Sequence, residues 1–255
     1  MARKVIFWDF DGTLAHRPGM WRGCLVETLD EHEPGHGIDP ENLRPFLRTG
    51  FPWDSPDVPH PELTDPDAWW KHVQLMLAAA YEGVGIESGR AAELAGRVRD
   101  RYVDPARVWE LFPDTAPVLA HLRSEGWHHL VLSNHVPELP AIAEGLGLTP
   151  LVDHIVTSAA TGYEKPHPEA FRLALELCGA PNEVWMVGDN PAADVAGAEA
   201  AGIPAVLVRT QHEPTSRSAS DLHEAAEIIT GVPIGRRRPA DSPAKPAAAT
   251  PHPHP

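Results

Sequence analysis

Residues 4–14 read KVIFWDFDGTL, and the fold turns on how that stretch is understood. Val5, Ile6, Phe7 and Trp8 are β-branched or aromatic and make a run too short for a helix, so they are expected to form a buried strand. Gly12 supplies backbone freedom where the strand must stop. Asp9 and Asp11 then fall at the carboxyl end of that strand, the edge at which open α/β sheets bind ligands. Two carboxylates so close repel each other. The repulsion is relieved by a divalent cation between them or by a proton on one of them. Read alone, the stretch could equally be an N-terminal strand closing in an Asp-Gly turn. The rest of the chain decides.

Downstream of Leu14 the texture changes, and residues 16–109 are rich in Pro, His and Trp. Met20, Leu25, Val26 and Leu29 recur at helical spacing, and the EPGHG stretch from Glu33 ends that helix. Glu41 to Leu47 suggests a short second piece. Gly50 to Asp67 holds five prolines and is expected to be a long loop. Asp65-Pro66-Asp67 then reads as a helix start, followed by Trp69, Trp70, Val73, Leu77 and Ala80. A further helix from about Glu87 carries Ala91, Leu94, Ala95 and Val98. Helices without an apolar strand among them make this segment an inserted α-helical cap.

From Phe112 strands and helices alternate. Helices are expected over Asp114–Glu125, Pro137–Leu146, from Lys165-Pro166 onward, over Pro191–Ala201 and over Leu222–Ile229. Strands are expected at His129–Ser133, His154–Ser158, Val184–Gly188 and Pro204–Val208. With the first strand these make a parallel sheet covered on both faces, an α/β, Rossmann-like core formed by residues 1–15 and 110–232. Residues 233–255 are dense in Pro and Ala and poor in large apolar residues, so a disordered tail is expected.

The chain has 255 residues and a formal net charge of −15, from 36 acidic and 21 basic residues. That balance argues against a sequence-independent grip on nucleic acid or an anionic membrane. A phosphate site here must be made locally positive by a metal ion, a lysine or helix N-termini. Cys24 and Cys178 lie far apart without metal-ligand spacing, which suits a reduced, cytoplasmic compartment. The first residues lack the cleavage pattern of a signal peptide, and no run approaches the roughly 18 apolar residues of a membrane span.

Polar groups recur at the ends of the expected strands: Asp9 and Asp11, then Ser133 and Asn134, then Lys165 in the following segment, then Asp189 with Asp194. Each has an ordinary explanation alone. Ser133-Asn134 suits a turn, and Asn190, Pro191 and Asp194 suit a helix start. Lys165 is an odd residue for a helix N-terminus, which is itself positive, unless an anion sits beside both.

As an ordered set, DFDGT, LSN, YEKPHPEAF and VGDNPAADV resemble the four motifs of the haloacid dehalogenase (HAD) superfamily, in its helical-cap, phosphatase-like branch. The resemblance spans about Lys4 to Val208. It implies a Mg2+-dependent phosphatase acting on a small-molecule phosphate ester. Asp9 would be the nucleophile that forms an aspartyl-phosphate. Asp11 would be the acid and base, and it would need a raised pKa. Ser133 and the Asn134 amide would hold phosphoryl oxygens, with Lys165 neutralising charge on the transferred group. Mg2+ would be bound by Asp9, the Asp11 backbone carbonyl and Asp189, with Asp194 acting from behind them. Gly12 and Thr13 would complete the turn and add donors. The dehalogenases of the family lack an aspartate at the position of Asp11, so its presence implies phosphate ester hydrolysis. A sugar-phosphate mutase shares the same core set, and a non-catalytic phosphometabolite-binding protein is a rival of another class. His16, Arg17, Trp21, Trp53, Trp69 and Trp70 are the candidates for substrate selection, Arg17 as a cation facing a second anionic group. At least half of the tryptophans are expected simply to pack the cap.

Overall fold

The computed structural model describes residues 3–104, 109–209 and 217–233. From residue 234 onward, the segment expected to be a tail lies outside the described residues. The stretch Lys4–Trp8 (β1) is a strand at the centre of a six-stranded parallel sheet. The others are β4 (Trp127–Ser133), β5 (His154–Thr157), β6 (Glu183–Gly188), β7 (Ala205–Val208) and β8 (Ser218–Ala219). Their order is β5-β4-β1-β6-β7-β8, with every neighbouring pair parallel. After β1 the chain builds outward through β4 and β5, then returns to β1's other side as β6. Reversal of strand order beside β1 opens a crevice at its carboxyl end.

Alternation along β1 divides the core. Val5 and Phe7 pack on one face with Leu130, Leu132, Phe171, Met186 and Leu207, while Ile6 and Trp8 pack on the other with Leu119, Leu122, Val131 and Val206. All four β1 side chains are fully buried, each contributing about 1.5–3 kcal/mol of transfer free energy. Trp8 also carries a polar atom inward, and its Nε1 donates to His129 Nδ1 at 3.0 Å while His129 Nε2 reaches the Leu119 carbonyl at 3.0 Å. Burial pushes the His129 imidazole down to about 4. It is therefore neutral, with its proton on Nε2.

A second, antiparallel ribbon pairs β2 (Ala15–His16) with β3 (Glu110–Leu111). Between these two strands lie the helices Met20–His32, Pro66–Gly83 and Ser88–Val103, with no strand among the described residues of that segment. The two later helices begin as the residues dictate. Asp65 accepts from the Ala68 amide at 3.0 Å and Glu87 from the Arg90 amide at 3.0 Å, each satisfying an orphan helix donor. The proline-rich stretch between the first two helices holds only the 3-10 turns Pro52–Asp54 and Pro61–Leu63, beyond a short helix at Pro40–Leu43 and its 3-10 extension Arg44–Phe46. Aromatic rings join these segments: Trp21 stacks on Tyr102 at 4.0 Å and lies 6.0 Å from Trp70, while Phe51 and Trp53 of the proline-rich stretch, stacked on each other at 4.6 Å, pack beside Trp21. Their core runs without a break into the Ile6 and Trp8 face of the sheet.

Glu138, just before the helix Leu139–Gly145, receives Trp70 Nε1 at 3.0 Å and Arg99 at 2.7 Å. This polar clasp ties the inserted helices to the sheet. The helix expected to open at Lys165-Pro166 instead opens at Pro168, with His167 as its cap. The reason is a tertiary contact: the Lys165 amide donates to Asn134 Oδ1 at 2.7 Å and its carbonyl accepts from Asn134 Nδ2 at 2.9 Å, so both backbone groups are spent outside a helix. No helix of the described residues is long and apolar enough to cross a membrane.

Candidate active site

The carboxyl edge of the sheet gathers side chains from four separate connections. β1 ends in register with Val131 and Val187, so Asp9 is the first residue past the sheet, its amide still bonded to the Val187 carbonyl at 2.9 Å. The chain then doubles back from Phe10, whose carbonyl accepts from the amides of Leu14 and Ala15 at 2.9 Å each. That turn sets Asp11 beside Asp9. Gly12 is required twice over: its φ is +82°, and a Cβ there would stand 2.4 Å from Asp189 Oδ2.

Asp9 is held at one oxygen. Its Oδ1 accepts from Ser133 Oγ at 2.9 Å and from Lys165 Nζ at 2.8 Å. The same ammonium reaches Asp194 Oδ1 at 2.5 Å, while Asp194 Oδ2 accepts from the Asn190 amide at 3.0 Å. Asp194 comes from the turn that follows β6, where Pro191–Ala196 is wound as a π-helix before Gly197–Ala200 continues as an α-helix. Such π turns are frequent at functional sites. Two glycines permit the approach: a Cβ on Gly188 would lie 2.2 Å from the Asp194 carboxyl carbon, and one on Gly197 would lie 2.7 Å from Pro166. Asn190 caps the turn, accepting from the amides of Ala192 and Ala193.

Charge is crowded here. Burial, then the charges of Asp9 and Asp189, push the Asp11 carboxyl well above the usual carboxylate range. Burial, then Asp9 and Asp194, raise Asp189 to about 7. Burial also lifts Asp194 to about 6, against the pull of Lys165. For Lys165 burial opposes the charge, but Asp194 and Asp9 outweigh it and carry the ammonium above its ordinary value. One lysine against four acids leaves an excess of negative charge, and each of Asp9, Asp189 and Asp194 offers an oxygen within 4.8 Å of the others. An all-oxygen donor set of this kind suits a hard divalent cation.

Above the carboxylates lies a cleft of about 440 Å³, lined by Asp9, Asp11, Ser133, Asn134, Lys165, Asp189 and Asp194. Its other wall is Met20, Trp21, Trp53, Pro56, Tyr102 and His135. Of the expected selection residues, Trp21 and Trp53 line the cleft, whereas Trp69 and Trp70 are buried away from it. Arg17 is not among the lining residues either. The chain turns into the helix Met20–His32 immediately after it, and its guanidinium folds back to the Met20 carbonyl at 2.8 Å and Glu27 at 2.7 Å, 2% exposed. His16 pairs with Glu110 across the β2–β3 ribbon at 3.7 Å. Thr13 is fully buried behind the turn, its Oγ1 without a partner among the described residues.

Met20, Tyr102 and His135 were not anticipated. Tyr102 continues the inner-face series Ala91, Leu94, Ala95 and Val98 by one more turn, so helical periodicity could have found it. His135 follows the strand-end pair Ser133-Asn134 directly. It is 3% exposed, burial pushes its imidazole down to about 4, and neither ring nitrogen makes a well-formed hydrogen bond among the described residues.

Comparison with known proteins identifies the family. A model of the haloacid dehalogenase-like hydrolases matches residues 3–202. Among curated relatives, a phosphoserine phosphatase of Thermus thermophilus is 38% identical over 52% of this chain, the match spanning about half (55%) of that protein's length. A phosphoglycolate phosphatase of Cereibacter sphaeroides is 30% identical over 78% of this chain and 81% of its own. Among solved structures, the magnesium-bound HAD-hydrolase YfnB of Bacillus subtilis has a TM-score of 0.69 at 17% identity, covering 90% of this chain and 99% of that one. At that identity the likeness speaks to the fold alone.

Proposed function

Because the chain belongs to the haloacid dehalogenase-like hydrolases, we propose that it is a Mg2+-dependent phosphatase that hydrolyses a small phosphorylated metabolite through a phosphoryl group carried on Asp9. The observation that carries the reading is the position of Asp9, whose Oδ1 is held by both Ser133 and Lys165 at the floor of the cleft. Two donors on one oxygen fix the carboxylate's rotamer, and fixing a nucleophile in line removes much of the entropic part of a barrier.

In the first step a carboxylate oxygen of Asp9 bonds to phosphorus while the bond from phosphorus to the alcohol oxygen breaks. Asp11, whose carboxyl is raised above the usual carboxylate range by burial and by the charges of Asp9 and Asp189, gives its proton to that leaving oxygen. In the second step water attacks phosphorus, Asp11 takes its proton, and the Asp9–phosphorus bond breaks to release inorganic phosphate. Ser133 and Lys165 already converge on Asp9 and are in reach of the oxygens of a phosphoryl group placed there, where they balance its charge. Asp194 acts as a positioning residue, since Lys165 and the Asn190 amide occupy both of its oxygens.

Asp9, Asp189 and the Asp11 backbone carbonyl would hold Mg2+, which when bound supplies the positive charge that lets an anionic ester approach four acids. The helices between β2 and β3 form the substrate-selecting cap in this reading. The partner is a small-molecule phosphate ester, because a cleft of about 440 Å³ is of metabolite size.

The test is release of inorganic phosphate from a panel of sugar phosphates, nucleotides and simple esters. Turnover is expected with Mg2+, is lost on chelation and returns when Mg2+ is restored. In Asp9→Asn it falls by at least about four orders of magnitude. Activity that survives Asp9→Asn overturns the assignment of the nucleophile. Transfer of label between positions of a sugar phosphate, without phosphate release, would instead identify a mutase.

A further inference from the structure

The phosphatase reading leaves the organic half of the substrate open, and the wall facing the carboxylates restricts it. Trp21, Trp53, Tyr102 and Met20 line the cleft with largely apolar side chains. Trp21 is locked by its stack on Tyr102 and by Phe51 at 4.9 Å, so the surface is preformed. Beside them lies His135, on the connection that follows β4. Its ring is packed against Phe10, Trp109 and Tyr102 at centroid distances of 5.4, 5.3 and 6.1 Å, and it is 3% exposed. Neither ring nitrogen makes a well-formed hydrogen bond among the described residues, only a loose contact with the Val136 backbone, although buried polar atoms are satisfied in the great majority of cases. A neutral imidazole offers one donor and one acceptor. A ligand in the cleft can supply what it lacks.

Charge narrows the choice further. Lys165 is the only cation among the described residues lining the cleft, and Asp9 and Asp194 already share it. Arg17 lies outside the lining, ion-paired with Glu27, and its charge reaches the cleft through its pull on Asp11. Arg22, Arg44 and Arg48 face a separate hollow on the other side of Met20 and Trp21, where Arg22 and Arg44 share Glu41. Phosphoserine and phosphoglycolate, named for the two relatives, each carry a carboxylate beside the phosphate. This cleft meets such a group with acids and aromatic rings.

Resting on the phosphatase reading, we propose that the substrate is a phosphate monoester of an uncharged planar alcohol, its ring laid against Trp21, Trp53 and Tyr102 and a polar ring substituent read by His135. Flat ligands on aromatic walls gain area without ordering many torsions. A site with an unpaired buried polar group discriminates strongly for the ligand that pairs it.

The test compares KM and kcat of the full chain with Mg2+ on benzyl phosphate, n-propyl phosphate, phosphoglycolate and the three (hydroxymethyl)benzyl phosphates. Their leaving alcohols are of similar basicity, so differences report binding of the organic part. Benzyl phosphate is expected to have a KM about tenfold below those of the propyl and glycolate esters, and one hydroxyl isomer should gain about tenfold more in kcat/KM. His135→Leu should reduce that last advantage to about one, and His135→Gln should restore part of it. Should His135→Leu fail to fold, Trp53→Ala, at a half-buried position, must still shrink the gap between benzyl and propyl esters. Preference for phosphoglycolate or a bisphosphate overturns the proposal. So does a hydroxyl advantage unchanged in His135→Leu, which would leave the imidazole to a bound water. Binding of the matching benzylphosphonates to Asp9→Asn, read by tryptophan fluorescence, separates the failures. Binding with the proposed ranking but without wild-type turnover sinks the phosphatase reading; turnover with the wrong ranking sinks only the substrate class.

Discussion

The two walls of the cleft rest on different physics. The floor is electrostatic: Asp9, Asp11, Asp189, Asp194 and Lys165 sit within reach of one another, and small displacements change charge balance. The facing wall is dispersive: Trp21, Trp53 and Tyr102 come from separate segments and are held by ring contacts. The floor therefore fails through loss of a single charge, and the other wall fails through loss of volume. That contrast teaches where to look for chemistry and where for selectivity.

The largest effect should come from the floor. Lys165→Met removes the cation that Asp9 and Asp194 share, and kcat should fall about a thousandfold, as for deletion of a key charge-stabilising donor. The melting temperature should also fall, because Asp9 and Asp194 lose their shared partner. A mutant that kept kcat would show that charge does not govern the floor.

Trp21→Ala, by contrast, should cost about 3–5 kcal/mol of stability through the void left under Phe51 and Tyr102. Its kinetic signature should be a raised KM with a much smaller change in kcat, measured on any ester that the wild type accepts. Equal losses in kcat would merge the two walls into one catalytic unit.

Acid should act on the sheet beneath the floor. His129 is fully buried and its pKa is lowered to about 4, so the folded state favours the neutral ring. Its contribution is complete above the ordinary value near 6.5 and is lost as pH falls from there toward 4. The loss is about 3 kcal/mol. Unfolding by denaturant at pH 7 and pH 4.5 should reveal the difference, and His129→Gln should flatten the slope. The smallest effect belongs to the clasp. Glu138→Gln weakens a half-exposed pair with Arg99 and a bond from Trp70, and should cost about 1 kcal/mol.

The floor was legible in the sequence because Asp9, Ser133 and Asp189 stand at strand ends, with Lys165 and Asp194 in the segments that follow, and strand ends are announced by apolar runs of β-branched and aromatic residues. Val184 to Gly188 followed by Asp189 is as plain as Val5 to Trp8 followed by Asp9. The facing wall was less so. Trp69 and Trp70 look as exposed to function as Trp21 does, and only packing tells them apart. Arg17 appeared free because its partner Glu27 lies two helical turns further on and reaches back, a pairing that no motif encodes. Strands β2, β3 and β8 have two residues each, too few for any alternation to register. The start of the helix after Lys165 was misplaced because Asn134, distant in sequence, takes both of its backbone groups.

The β2–β3 ribbon bears on how the chain reaches its fold. Lys4 must find Trp127 to begin the central sheet, across everything inserted between them. Closing so long a coil costs on the order of a few kcal/mol more than closing a short one. Ala15 lies opposite Leu111, so an insert that has already folded presents its two ends side by side. The sheet then closes only a short tether between Trp8 and Ala15 and, on the other side, the stretch from Leu111 to Trp127 that holds the helix Thr115–Ser124, and the inserted helices act as a clip that shortens the search for β1's partner.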